Sequence, residues 1–310
     1  MPAIIIHGKP LQQRIVTPLL AEAKHLGVRP LVALISVDGE DPMLALNREL
    51  HVRTLVSYGF TCDSIVLPPG SQIEEINTAI NERNADDDTH GIMVLLPLPR
   101  NISLCEILPR ISPEKELEGL HPDHSASLIT SNLSNPGGVL PLVGEAIRLS
   151  LDHNRIPLEN QNIVILTEEQ LMRSNPIANM IVRCAGPAML PPSSPLSLVP
   201  IEHPSAQQLA AGADILVVSL EQAEVVTAEW VKPGATVIDF NPTIIGFHDP
   251  AGGQGGSPIL RGGIATDDVA SVAGHVMPIP GGIGPVMLGI LMRNATAAAL
   301  RVTRRTPATQ

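Results

Sequence analysis

Tyrosine, tryptophan and lysine are nearly missing from this chain. Its 310 residues include one Tyr (Tyr58), one Trp (Trp230), three Phe and four lysines, Lys9, Lys24, Lys115 and Lys232. Lysine or tyrosine chemistry therefore has few candidates, and each can be placed. Cysteine is scarce too. Cys62, Cys105 and Cys184 are odd in number and widely spaced, which fits neither a disulfide framework nor zinc-ligand spacing. They read as buried free thiols in a reducing cytoplasm, and no metal centre is expected. Positive charge is also short. Twenty Lys and Arg against 31 Asp and Glu leave a net charge of −11. That balance supplies no excess of cations for phosphates or anionic membranes, so neither is expected as a partner. No apolar run reads as reaching the roughly 18–20 residues of a membrane helix. The opening MPAIIIHGKP has neither the basic flank nor the cleavage site of a secretory signal.

What is present is alternation. Apolar residues recur at helical spacing over 11–25, and 30–37 reads as a buried strand. A helix over 43–58, a strand over 62–67, a helix over 73–81, a strand over 91–96 and a short helix over 101–108 follow. Residues 112–138 carry many turn residues and read as a long loop. A second series opens with a helix near 142–152. It continues with a strand at 162–167, a helix at 175–184, strands at 213–219 and 235–240, a Gly-rich surface turn over 249–262 and a last apolar helix over about 284–302. Such alternation predicts an α/β chain of two domains, each with a parallel sheet covered by helices. The boundaries fall at 1–140, 141–280 and 281–310, with the last helix returning to the first domain.

Five segments give this frame a likeness. They are Gly39-Glu-Asp-Pro42 with Tyr58-Gly59-Phe60; Gly91-Ile-Met-Val-Leu-Leu-Pro-Leu-Pro99; Ile111 to Pro122 (ISPEKELEGLHP); Val231-Lys-Pro-Gly-Ala-Thr-Val-Ile-Asp239; and Pro278-Ile-Pro-Gly-Gly-Ile-Gly-Pro285. In this order, over nearly the whole chain, they resemble the bifunctional methylenetetrahydrofolate dehydrogenase/cyclohydrolase family. The resemblance implies an N-terminal folate domain, a Rossmann-like doubly wound nucleotide domain, a ligand cleft between the domains and a homodimer. It also implies a reaction: 5,10-methylenetetrahydrofolate is oxidised with NADP, and the methenyl product is hydrolysed to 10-formyltetrahydrofolate.

The departures fall on the chemistry. The family's Tyr and Lys, four residues apart on the helix after G-x-D-P, fall at Asn47 and His51. Tyr58 lies 11 residues beyond Asn47, roughly 16 Å along a helix, and no lysine stands between Lys24 and Lys115. Neither residue has simply moved along this helix. Histidine exchanges protons near neutrality, so His51 is the candidate acid/base, with Asn47 one turn away to orient it. The bland alternative is a polar residue on a solvated helix face. The family's Gln before L-P-L-P is Leu95, so a hydrogen-bonding side chain is gone. Its pterin-binding Asp is Glu118, which keeps a carboxylate for two charge-assisted hydrogen bonds. The Asn of H-P-x-N is His124: either it pairs functionally with His121 or, as is more common for two loop histidines, both are simply exposed. Leu96, Pro97 and the intact turn Pro280-Gly281-Gly282 complete the expected substrate contacts.

The nucleotide side departs further. The family's G-R-S turn reads Thr167-Glu168-Glu169, its S-R-T reads Ile201-Glu202-His203, and its A-V-G reads Ser219-Leu220-Glu221. No glycine occurs between Gly144 and Gly186, and Ser174-Asn-Pro176 suggests a short insertion. Thr167, Glu168, Glu202 and Leu220 thus mark a degenerate cofactor site. Acids close to phosphates repel them by a few kcal/mol at about 5 Å, so NADP is expected to be unlikely as a cofactor.

Three readings follow. The first is a tetrahydrofolate-dependent enzyme acting on a methylene or methenyl adduct without redox, by hydrolysis or by one-carbon transfer to a second small molecule. The second is a catalytically inactive folate-binding paralogue. The third is a working NADP-dependent dehydrogenase.

Overall fold

The computed structural model describes residues 2–39, 41–99, 101–130, 138–169, 193–248 and 257–305. The chain divides into two compact units. One comprises Gln13–Leu142 with Leu288–Gln310, the other Met1–Gln12 with Val143–Met287. The first twelve residues, expected with the folate domain, thus belong to the second unit.

In the first unit, β2 (Leu31–Val37) lies between β3 (Thr61–Leu67) and β4 (Gly91–Val94), and both pairs are parallel. Helix α1 (Gly8–His25) leads into β2, α2 (Pro42–Ser57) links β2 to β3, and α3 (Ile73–Ala85) links β3 to β4. The apolar run of β2 is buried on both faces, as a central parallel strand requires. Ala33, Ile35 and Val37 pack with Ile76, Ala79 and Ile80 of α3. Helix α2 starts sharply because Asp41 caps it, accepting from the Met43 amide at 2.8 Å, with Pro42 at the first helical position. Beyond β4 the chain makes a short helix α4 (Leu104–Ile107) and a 3-10 turn over Leu108–Arg110.

Residues 112–138 are not a continuous loop. They contain helix α5 (Pro122–Thr130), whose opening proline suits a helix start as well as a turn. His121 and His124, expected to be exposed, are both buried. Cys62 is half-buried and Cys105 exposed, so neither is the deeply buried thiol expected; Cys184 lies outside the described residues.

The second unit carries six parallel strands in the order β1 (Ile4–Ile5), β11 (His275–Met277), β8 (Thr236–Asp239), β7 (Ile215–Ser219), β5 (Ile163–Thr167) and β6 (Leu196–Pro200). This is a Rossmann-like doubly wound sheet. Strands β1, β6 and β11 are too short or too mixed to stand out in the sequence. The stretch read as a Gly-rich turn ends in strand β10 (Pro258–Arg261), which pairs antiparallel with β9 (Thr243–Phe247). Helix α6 (Leu142–His153) precedes β5. The helix expected at 175–184 and the insertion at 174–176 lie outside the described residues.

Asp239 anchors the loop after β10. Its buried carboxylate accepts from the amides of Gly263 (3.0 Å) and Ile264 (3.4 Å), and burial pushes its carboxyl up to about 7. A methyl group on Gly262 would stand 1.9 Å from Asp239 Oδ2. Gly262→Ala is therefore expected to cost about 1–3 kcal/mol, as overpacking of a tight interior does. Urea denaturation measures it, and an unchanged midpoint would show that the loop yields freely.

The last helix runs over Ile283–Arg305. By length and composition its stretch Ile283–Thr303 could cross a membrane, with a mean hydropathy of 1.4 over its most apolar window, which corrects the expectation from sequence. That window is 72% buried inside the protein, as in a core helix. Within the first unit, Asn294 of this helix donates to the Leu117 carbonyl at 2.9 Å.

Candidate active site

The expected site residues fall in both units. Asn47, His51, Leu96, Pro97 and Glu118 belong to the first, and Thr167, Glu168, Glu202, Leu220, Pro280, Gly281 and Gly282 to the second.

In the first unit, His51 is half-buried on α2, and its Nδ1 lies 2.8 Å from the main-chain carbonyl oxygen of Asn47. A carbonyl only accepts, so Nδ1 carries the proton and Nε2 holds the basic lone pair. Burial pushes the imidazole below its ordinary value, against the opposing pull of that hydrogen bond. At neutral pH His51 is thus a neutral base with a fixed tautomer. Asn47 was expected to orient it, and the bond comes from its backbone carbonyl, which any residue at 47 supplies.

Two further features set the site's edge. The Leu96–Pro97 peptide is cis, directly after β4. Alongside β4 runs the segment around Glu116: Ile92 bridges Glu116 in parallel, and the Ile92 amide donates to the Lys115 carbonyl at 2.8 Å. Glu118 follows this bridge by two residues. Glu116 was not singled out by the sequence. Its buried carboxylate accepts from the amides of Glu118 (2.7 Å), Leu120 (3.1 Å) and His121 (3.4 Å), which fixes this loop. Lys115 fixes the other end, its ammonium donating to the carbonyls of Arg83, Asn84 and Asp86 at 2.7–2.9 Å. Glu118 is half-buried. Burial pushes its carboxyl up to about 8, with the neighbouring Glu116 charge adding to the shift. His121 and His124 meet edge to face at 5.9 Å. His124 Nε2 donates to the Pro113 carbonyl (3.0 Å) and its Nδ1 accepts from the Val139 amide (3.4 Å), so it staples the loop.

Arg48 was also passed over. Its Nη1 donates to the hydroxyl of buried Ser36 at 3.1 Å and pairs with Asp38 at 3.6 Å. The signal was available: Ser36 is the one polar residue in the run LVALISV, and a buried hydroxyl needs a partner.

In the second unit, the carboxyl edge of the sheet is the expected dinucleotide face. Thr167 ends β5, and its buried hydroxyl has no partner among the described residues. Glu168 is buried and turned toward the end of β7, where its Oε1 accepts from the amides of Glu221 (2.9 Å) and Gln222 (3.4 Å). Glu202 stands just past β6 and accepts from the Glu169 amide at 3.2 Å. Two of the acids read as obstacles to phosphate are therefore already engaged by main-chain donors. Leu220 is fully buried in the core of this unit, so it contributes packing. The turn Pro280-Gly281-Gly282 has a cis Ile279–Pro280 peptide and a left-handed Gly281 at φ 97. Gly282 is forced by close approach, because a methyl there would lie 2.4 Å from the Pro278 carbonyl oxygen.

Comparison with known proteins matches this geometry. Residues 6–118 match the family model for the tetrahydrofolate dehydrogenase/cyclohydrolase catalytic domain, and residues 141–303 that family's NAD(P)-binding domain. The chain is 31% identical to bifunctional protein FolD 2 of Rhizobium meliloti, covering 98% of both chains. It is 30% identical to the bifunctional protein FolD of Caulobacter vibrioides, covering 97% and 98%. Its fold is similar to that of a Trypanosoma brucei methylenetetrahydrofolate dehydrogenase-cyclohydrolase solved with NADP and an inhibitor, with a TM-score of 0.80 at 24% identity over 98% and 99% of the two chains. The match of residues 141–303 to an NAD(P)-binding domain overturns the expectation that NADP is unlikely. One feature of the sheet edge fits such a cofactor: the Glu202 carboxylate past β6, where ribose hydroxyls are commonly bound.

Proposed function

Because the chain belongs to the tetrahydrofolate dehydrogenase/cyclohydrolase family, we propose that it hydrolyses 5,10-methenyltetrahydrofolate with His51 as the base, and that its second unit binds a nicotinamide dinucleotide. The carrying observation is the committed tautomer of His51 at the family's lysine position: a neutral imidazole with its Nε2 lone pair free to take a proton. In this reading Nε2 removes a proton from the attacking water, and Glu118 pairs with the donor edge of the pterin. Leu96 and Pro97 flank the ring. Glu202 pairs with ribose hydroxyls of the dinucleotide, which when bound supplies a hydride acceptor. A homodimer and a cytoplasmic setting belong to the same reading.

Two measurements test it. Purified protein is expected to consume 5,10-methenyltetrahydrofolate, followed by its absorbance, above the buffer rate. Calorimetric titration is expected to show saturable binding of NADP or NAD. No consumption of the methenyl compound, with tetrahydrofolate still bound, would replace this reading with that of a catalytically inactive folate-binding paralogue.

A further inference from the structure

Position 95, where the family places a hydrogen-bonding glutamine, is a buried leucine whose side chain has nothing to donate. The strand register shows which side chain stands beside it. Ile35 of β2 pairs with Val94 of β4, and the Leu95 amide donates to the Ile35 carbonyl at 2.8 Å. One step further, Ser36 is the neighbour of Leu95. Adjacent strands lie roughly 4.8 Å apart, and partners in a ladder share a face. Arg48 reaches this point from α2 and is held there by the Ser36 hydroxyl and Asp38.

Only Nη1 of Arg48 has a partner among the described residues, and the side chain keeps 20% of its surface exposed. A guanidinium has five N–H donors in a rigid fork, so most of this one is uncommitted. It is also one turn before His51 on the same helix, where side chains three apart are neighbours. Taking a cation out of water is costly, and one serine and a half-exposed carboxylate at 3.6 Å offset only part of that cost.

We propose that Arg48 is a catalytic residue of the hydrolysis, donating to the oxygen that is added to the one-carbon unit. This rests on the folate reading above. Water forms the C–O bond and gives one proton to His51 Nε2. The resulting hydroxyl then loses its proton to solvent as C=O forms and the C–N5 bond breaks, and N5 takes the proton from the imidazolium. Negative charge gathers on the oxygen during that collapse, and Arg48 stabilises it there. A lysine can both carry charge and move a proton. Here the two tasks are divided: the guanidinium donates to the oxygen, and the imidazole exchanges the proton.

The test compares Arg48→Met, Arg48→Lys and His51→Ala with wild type for kcat, KM, tetrahydrofolate affinity and melting temperature. Arg48→Met is expected to lower kcat by about 10²-fold, the usual loss for one donor to a developing oxyanion. KM and tetrahydrofolate affinity should stay within a few-fold. Added guanidinium should restore part of the rate, and Arg48→Lys should fall between Met and wild type. An unchanged kcat in Arg48→Met, with His51→Ala inactive, would overturn this role and leave the folate reading intact. Loss of rate together with affinity and melting temperature, without rescue by guanidinium, would overturn it in favour of a purely structural arginine. An inactive wild type would overturn both.

Discussion

His51→Ala is expected to slow hydrolysis of 5,10-methenyltetrahydrofolate by about 10³-fold, within the range for loss of a positioned general base. Affinity for tetrahydrofolate should stay within a few-fold, because the variant removes a proton acceptor and leaves the pterin contacts. The pH profile carries a second signature. Burial holds the imidazole below its ordinary value of 6.5, and the neutral form is the active one. For wild type, kcat/KM should therefore rise with pH through a value below 6.5 and then stay level through neutrality. The alanine variant should lose that limb. Turnover that survives the substitution with the same acid limb would assign the base to another residue. A limb centred above 6.5 would show that the imidazole is more exposed when the enzyme is at work.

Glu118 gives the second large effect, and it is read by binding. Its carboxyl is pushed up to about 8 by burial and by Glu116, so the ligand-free protein holds a proton there at neutral pH. A pterin offers N–H donors, which need the ionised carboxylate. Binding of tetrahydrofolate should then expel up to one proton. Below about 8, affinity should rise up to tenfold per pH unit, and it should level off above. Calorimetry in buffers of different ionisation enthalpy counts the proton. Glu118→Gln keeps the size but loses the charge, and should weaken binding about 10- to 100-fold, the worth of charged hydrogen bonds of about 1.5–3 kcal/mol. It should also remove the proton release. Proton-neutral binding by wild type would mean that Glu118 does not meet the ligand.

Much of this was legible in the chain itself. The apolar runs of β2, β5, β7 and β8 mark buried parallel strands, and Asp41-Pro42 marks the start of α2. The five motifs place the chain in its family, because glycines and prolines in tight turns leave a pattern that sequence drift does not erase. His51 and Glu118 were found by counting from those motifs.

Charge was harder to read. Glu168 and Glu202 count as plain repulsion when only their sign is known. Folded, their carboxylates accept from main-chain amides of neighbouring strand ends, and backbone donors are invisible to a composition argument. The same holds for Asn47, whose useful atom is its carbonyl.

The sequence by itself determined the family, the parallel α/β layers and the residue types at the motif positions, because each depends on local spacing and on turns that only certain residues permit. Tertiary structure alone decided the lowered imidazole of His51, the raised carboxyl of Glu118 and the meeting of Arg48 with Ser36 beside Leu95. Each of those depends on burial and on strand register, which bring together atoms that local spacing does not relate.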